Sequence, residues 1–408
     1  MMRRNNINSF TLVELLIVIA ILAILAAAVV IVINPGEMLA QARDAERISS
    51  IESLKKSIDL FVLDNPGTTL GTYQKIYISI PDTSATCANI TGLPTLPSGW
   101  TYNCVTTANL RNLDSTGWLP INLTLIKGGS PMPSLPIDPQ NTQATTRYYQ
   151  YIPGNTSGSY ELTTLLESEK QAKIAGKDGG VDPGRLETGT NISLWKTVSG
   201  LKGFWRFDEA TSGTIPNGTI ISDSSASLFN GTAVNTNGTG MSWIQGKTGG
   251  GIIFDGTDDA VSISDGNTMN DYPTCTLAAF FKTTGGGRIF SIKRSAGSTH
   301  ISIYVSGGKA QGGMNSLNNN LASSGSYNDG QWHHVAYTFD GSNAALYVDG
   351  KLDNQASGWT LSAPAAEDYP AIGTLTNTDY FTGSIDEMMV YSRALSASEI
   401  QGIYNASK

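Results

Sequence analysis

Phe10-Thr11-Leu12-Val13-Glu14-Leu15-Leu16 opens an apolar run that continues without another charge to Ile33. At about 1.5 Å per residue, a helix of this length is able to cross a hydrocarbon core of about 30 Å. Arg3 and Arg4 precede the run and no acidic residue comes before Glu14. The positive-inside rule therefore keeps the N-terminus in the cytoplasm and sends the chain beyond Asn34 outward. A secretory signal is the competing reading, because Ala26-Ala27-Ala28 imitates a small-residue cleavage site. Glu14 argues against it. A carboxylate in an apolar span costs about 2.5–3.5 kcal/mol at the centre and less near the edge, and an ordinary signal has no use for one.

Ser9-Phe10-Thr11-Leu12-Val13-Glu14-Leu15-Leu16 resembles the processing site of type IV prepilins and pseudopilins. The resemblance implies a leader of residues 1–9, cleavage by a prepilin peptidase between Ser9 and Phe10, and methylation of the Phe10 amine. It also implies that Glu14 pairs with the terminal amine of a neighbouring subunit, which supplies the partner a carboxylate in lipid lacks. Ser9 departs from the glycine usual before the cut. Asn34-Pro35-Gly36 interrupts the helix, since proline removes a backbone donor and glycine raises backbone entropy. Beyond it, Ile48, Ile51, Leu54, Ile58 and Phe61 recur three or four residues apart, with Arg43, Glu46, Arg47, Glu52, Lys55 and Lys56 mostly on other faces. This pattern predicts an amphipathic helix to about Asp64, packed on a globular head.

Residues 65–197 are rich in Pro, Gly and Thr, with short apolar runs such as Lys75–Ile80 and Tyr160–Leu166. The Leu135-Pro136-Ile137-Asp138-Pro139 stretch and the following Tyr148-Tyr149-Gln150-Tyr151 resemble the sheet region of pseudopilin heads. Some of those heads bind Ca²⁺ in a loop, and Asp138 lies in a comparable stretch, but no ion is assigned there. Cys87 and Cys104 would close a loop of about 18 residues, a constraint of about 3 kcal/mol if they pair. An extracytoplasmic site permits the bond, and two separate thiols are the alternative. Cys275 then remains odd and reads as a buried strand position. Lys177 to Gly184 has neither the spaced Gly-Lys-Ser/Thr of a phosphate loop nor the acidic alternation of a calcium loop, and reads as a surface turn.

Composition supports a β-rich remainder. Charged residues are 15%, glycine numbers 44 of 408, and the formal net charge is −8, which excludes a nucleic-acid binder that needs a dense basic surface. From about residue 198 short alternating segments end in Asp-Gly and Asn-Gly turns, and Asp349-Gly350 between extended segments favours a type I′ hairpin. Gly203-Phe204-Trp205-Arg206-Phe207-Asp208-Glu209, Asp223-Ser224-Ser225, Asn230-Gly231, Phe254-Asp255-Gly256, Gln331-Trp332-His333-His334-Val335-Ala336, Leu346-Tyr347-Val348-Asp349-Gly350 and Gly383-Ser384-Ile385-Asp386-Glu387 resemble, in that order, the laminin G-like, concanavalin A-like family. Ser396 and Glu399 form a capping box for a short terminal helix.

The expected fold is α+β: a helical stem over 10–64, a small β-sheet pilin-like head over 65–197, and an all-β jelly-roll sandwich over 198–408. Family members are mostly binding modules for glycans or proteins, commonly with one Ca²⁺ near the rim. The oxygen-rich candidates for it are Asp223, Asn230 and Asp386, with ordinary turn and strand-end roles as the alternative. Catalysis is not expected. Asp386 and Glu387 are adjacent, and adjacent side chains on a strand point to opposite faces; His333 and His334 suffer the same geometry as a metal pair. Tyr327, Trp359, Tyr369 and Tyr380 in loop-like stretches are candidates to stack on sugars or to sit buried. Together these features predict a type IV pilin-like subunit, tethered in the inner membrane as a precursor and then assembled with other pilin subunits. Its lectin-like module would serve attachment to a glycan or surface protein. A pseudopilin of a secretion or DNA-uptake machine is the alternative, and a surface glycoside hydrolase the remote one.

Overall fold

The computed structural model describes residues 12–141, 147–180, 182–195, 199–237, 240–264, 273–294, 300–314, 319–360, 368–375 and 378–407. Ser9 and Phe10 lie outside these residues.

Helix α1 runs Leu12–Ile33 and α2 runs Pro35–Asp64. Between them Asn34 adopts a left-handed conformation, φ 44°, and its side chain accepts the Glu37 N–H at 3.4 Å. Pro35 therefore starts a new helix rather than kinking an old one, because a proline in the first turn gives up an N–H that has no intrahelical partner. The face of α2 that packs inward includes Ile51, Leu54, Ile58 and Phe61, joined by Trp118, Leu135, Tyr149, Tyr151 and Leu162. Arg47, expected on a polar face, is fully buried instead. Its guanidinium takes Asp138 in two hydrogen bonds of 2.7 and 3.0 Å and Asp44 at 2.7 Å. Asp138 thus answers the charge of this arginine. Asp44 in turn accepts the Glu167 and Ser168 N–H groups at the start of helix α3, Glu169–Ala175.

Five strands form the first sheet: β1 Lys75–Ile78, β2 Thr101–Asn103, β3 Gln150–Pro153, β4 Tyr160–Leu165 and β5 Arg185–Gly189, in the order β2-β1-β3-β4-β5. Cys87 and Cys104 form a disulfide with Cα atoms 5.3 Å apart. Asp182, Pro183 and Gly184, the end of the stretch read from the sequence as a surface turn, are buried. Asp182 accepts the Trp195 Nε1–H at 3.0 Å and Asp178 accepts the Glu187 N–H at 2.6 Å, so carboxylates fold this loop inward.

Most of the chain's strands build two larger sheets packed face to face in a jelly-roll-like arrangement. One runs in the order Lys351–Ala356, Ala344–Val348, Trp332–Phe339, Cys275–Lys282, Thr382–Tyr391, Gly250–Asp255, Ser242–Gln245, Gly213–Thr214, with Leu201–Trp205 also paired to Thr382–Tyr391. The other runs Asn319–Ala322, Lys309–Met314, His300–Ser306, Gly287–Arg294, Asp368–Ile372, Ala260–Ile263, Gly231–Val234, Ile220–Ile221. Their inner faces share one core that includes Trp205, Phe254, Phe281, Phe290, Ile303, Tyr337 and Ile385. Alternation turns these residues inward, while the outer face of the nine-stranded sheet carries a second apolar cluster that includes Phe204, Ala336 and Met389. Val348 pairs with Lys351 across Asp349 and Gly350, whose φ values of 48° and 74° are the two positive angles a type I′ turn requires.

Helix α4, Ala397–Ala406, opens with the Ser396–Glu399 capping box and buries Ile400 and Ile403 against the outer face of the nine-stranded sheet. Its other side meets the first unit: Asn405 Nδ2 donates to Glu167 O at 3.4 Å, and Gly184 lies against Ile403 so closely that a Cβ there would stand 3.0 Å from the Ile403 nitrogen. The terminal helix is thus held between the sandwich and the first sheet.

Candidate functional site

Glu14 lies in the first turn of α1, exposed, among exposed Leu12, Val13, Leu15 and Leu16. So apolar a helical surface on an isolated chain is a contact surface waiting for lipid or protein. Side chains of α1 are described only as far as Ala23, and among the described residues no helix is long and apolar enough to cross a membrane.

In the sandwich, Asp223 and Asn230 are brought together. Asn230 Oδ1 accepts the Asp223 N–H at 2.9 Å. Asp223 then accepts Phe204 N–H, Ser225 N–H, the Ser225 hydroxyl and Phe229 N–H at 2.7–2.8 Å, two bonds to each oxygen. A carboxylate so filled with donors organises its loop and has little left to offer a cation. Asp386, the third expected ligand, is fully buried on another strand, where it accepts the Thr248 and Glu387 N–H groups at 2.9 and 2.7 Å.

The expectation that Asp386 and Glu387 face opposite sides is overturned by a bulge. Phe280 pairs with Asp386 and Ala278 with Met389, so the strand carries one residue more than its partner. Glu387 takes φ 49° at this point. Ile385 and Met388 both point into the sandwich core while Met389 points out, which leaves Asp386 and Glu387 together on the outer face. Arg206 Nε stands 3.6 Å from both Glu387 Oε1 and Asp208 Oδ2, too far for a hydrogen bond. Burial lifts Asp386 to about 7 and Glu387 to about 8, with N–H donors and Arg206 opposing and Asp208 assisting. Two raised carboxyls on one face resemble an acid–base pair, yet their exposures of 0% and 1% give no substrate access to them.

His333 sits between Asp349 and Asp329, at 3.0 and 3.1 Å. His334 points the other way and is fully buried, so the two do not converge on an ion. Tyr327 and Trp359 pack half-buried against the core, and Tyr327 meets His333 edge-on at 4.9 Å. Both thus brace the edge of the core while keeping part of their surface exposed. The side chain of Tyr369 lies outside the described residues.

A cavity of about 450 Å³ opens where the two units meet, walled by Thr95, Leu96 and Pro97 on one side and Leu201, Lys202, Ser227 and Arg393 on the other. No single motif marks it, because its walls come from segments far apart in the sequence.

Residues 4–30 match the prokaryotic N-terminal methylation motif, and residues 255–401 match the concanavalin A-like lectin/glucanases superfamily. The chain joins a type IV pilin-like N-terminus to a lectin-like domain. Comparison with curated proteins finds no match. Among solved structures, it is similar to domain 4 of an extracellular arabinanase from Geobacillus stearothermophilus in complex with arabinotriose. The identity is 19%, the coverage 50% of this chain and 97% of that domain, and the TM-score 0.41. It is also similar to a heptameric pentraxin from Limulus polyphemus, at 20% identity, 32% and 69% coverage and a TM-score of 0.28. A sialidase from Trypanosoma rangeli aligns at 13% identity and a TM-score of 0.38, over 64% of this chain and 48% of the enzyme.

Proposed function

We propose that this chain is a minor type IV pilin-like filament subunit that carries a lectin-like module for attachment to a glycan or surface protein. The observation that carries the reading is the union, on one chain, of a methylation motif followed by an exposed apolar helix with Glu14 in its first turn, and a concanavalin A-like sandwich. A prepilin motif supports a membrane-anchored precursor. The helix then assembles through apolar packing, with Glu14 answered by the Phe10 amine of a neighbour. The sandwich is bulky and held through α4 against the first sheet, which favours a tip or sparse position over dense lateral packing. The module binds rather than catalyses, in keeping with the inaccessibility of Asp386 and Glu387. The cavity between the units is the site we assign to the ligand, since pockets of this size favour domain boundaries.

The test joins mass spectrometry, imaging and binding. The mature chain should begin at N-methylated Phe10, cells should carry filaments containing it, and Glu14→Ala should abolish its incorporation while leaving the precursor in the membrane. Purified full-length protein should retain a glycan or surface-protein ligand, and Lys202→Glu should weaken that binding at the cavity. A short periplasmic assembly with a secretion or uptake defect on deletion would instead support the pseudopilin role.

A further inference from the structure

A layer of buried acids lies where the first sheet meets the sandwich. Glu161 on β4 and Glu187 on β5 sit on one face of that sheet, because Glu187 pairs with Thr163, two residues along from Glu161. Both side chains are buried. Each has one oxygen in use: Glu161 Oε2 accepts the Trp195 N–H at 2.7 Å, and Glu187 Oε2 accepts the Asp182 N–H at 2.8 Å. The other oxygens, Glu161 Oε1 and Glu187 Oε1, are buried and take no donor from the described residues. Arg185, two residues before Glu187 on the same face, is engaged elsewhere. Its Nη1 donates to the Thr163 hydroxyl at 3.1 Å, and its guanidinium lies 4.7 Å from the centre of the Trp195 ring. The two carboxyl groups are within hydrogen-bonding reach of each other, so one proton held between them supplies the donor that both lack.

What the pair holds is the contact between the two units. Trp195 is fully buried, its indole N–H donates to Asp182, and its carbonyl accepts the Ser199 N–H at 2.7 Å at the entry to the sandwich strand Leu201–Trp205. The loop at Asp182 is the seat of α4, where a Cβ on Gly402 would stand 2.9 Å from the Gly184 carbonyl oxygen. Glu161 therefore fixes the connection between the units, Glu187 fixes the seat of the terminal helix, and the two meet at the proton. Around them stand Asp178 and Asp182 of the loop, with Arg206 of the sandwich facing Asp178, and the phenols of Tyr102 on β2, Tyr148 just before β3 and Tyr391 on the strand Thr382–Tyr391. Arg393 and Glu399 beside α4 answer each other. Burial holds the three phenols above their ordinary range, so Arg185 is left as the counter-charge of the pair, and the acids outnumber it.

We propose that the Glu161–Glu187 pair, by holding one proton, is a latch that fastens the sandwich to the first sheet, and that alkaline surroundings release it. Release is a proton transfer to hydroxide or a buffer base that leaves two carboxylates. With no donor for either they part, and the bonds to the Trp195 and Asp182 N–H groups go with them. Burial raises both acids, and the charges of Glu161 and Asp182 raise Glu187 further. The contribution of the latch is therefore fully present below the ordinary 4.5 and is lost as the pH rises through the raised values. The cavity between the units, whose walls come from both, opens with the latch, which stands whatever that cavity binds.

Full-length protein in detergent, with spin labels on Lys127→Cys in the first unit and Lys351→Cys in the sandwich, both exposed positions, is diluted with unlabelled protein and measured by pulsed electron paramagnetic resonance from pH 6 to pH 10. One narrow distance is expected at pH 6. By pH 10 about half of the molecules or more should show a broad distribution, reversibly and with the far-ultraviolet spectrum unchanged. Glu187→Gln, whose amide donates to Glu161 at every pH, should keep the narrow distance at pH 10. A parent whose distance stays narrow to pH 10, or is already broad at pH 6, overturns the latch, as does broadening that arrives only with loss of the far-ultraviolet spectrum. Equal broadening in the parent and in Glu187→Gln overturns its assignment to this pair. The parent alone decides the first point if the variant fails to fold.

Discussion

Two stretches of the same outer sheet face handle buried charge differently. Near the end of the chain Arg393 donates to Glu399 in two hydrogen bonds of 3.0 and 2.7 Å and to the Ser199 carbonyl at 2.6 Å, so each buried group has a partner. A short distance upstream, Asp386 and Glu387 share the face with Arg206 held back at 3.6 Å and with Glu387 Oε1 lacking any hydrogen bond. The titration behaviour separates accordingly. Burial works to raise Glu399, but the charge and hydrogen bonds of Arg393 prevail and bring it down to about 2. At Glu387 burial prevails and takes it up to about 8. What differs is the geometry of the donor rather than the depth of burial. The Arg393 end ties helix α4 to the close of the last strand and to Ser199, while at the bulge end burial favours the protonated acids.

Breaking the satisfied end should have the largest effect. Arg393→Met removes the partner of a buried carboxylate and should cost about 3–5 kcal/mol in urea unfolding of the full chain, whereas adding Glu399→Met should recover most of it. A loss below about 1 kcal/mol for the single variant would show that α4 is not held by this pair. The smaller effect lies at the bulge. The folded pKa of Glu387 is raised above its unfolded value of 4.5, so its contribution is fully present below 4.5 and is lost as pH rises through about 8. Between pH 6 and 9 the parent should lose stability, and Glu387→Gln, which carries no charge to expel, should lose about 2 kcal/mol less over the same interval. Parallel urea curves for parent and variant at pH 9 would contradict the contrast between the two ends.

This contrast also marks how far the sequence could be read. The Ser396–Glu399 capping box, the Asp349-Gly350 turn and the stripe Ile51, Leu54, Ile58 and Phe61 were legible because each is a local pattern within a turn or two of chain. The side occupied by Glu387 was not. It depends on a register shift against Cys275–Lys282, a strand more than a hundred residues earlier, and strict alternation gives the wrong side. Arg47 was misplaced for the same reason, since a charged residue on a helix reads as solvated unless its partner, Asp138, is known to arrive from 91 residues away. The loop at Asp182 looked like a surface turn because glycine and proline dominate it, yet its carboxylate is consumed by the indole of Trp195.

The smallest predicted effect tests the same face at His334, which stands in register with Asp386 across Phe280. Both ring nitrogens are buried without partners, and the ring packs against Phe280 at 4.8 Å and Tyr404 of α4 at 6.0 Å. Burial lowers its pKa to about 4 from an ordinary 6.5, against a modest opposing pull from Asp349. The unfolded chain therefore takes up a proton near pH 6.5 that the folded chain refuses until about 4, so stability is full above 6.5 and falls as the pH drops through this window. The loss should be about 1–2 kcal/mol at pH 5 on the parent. His334→Phe replaces an unsatisfied polar ring with an apolar one of similar shape, and should be about 1 kcal/mol more stable than the parent at pH 5. The gain should shrink toward pH 8, where the parent's ring is neutral in both states. A variant that is less stable than the parent at both pH values would mean that the imidazole nitrogens are satisfied after all.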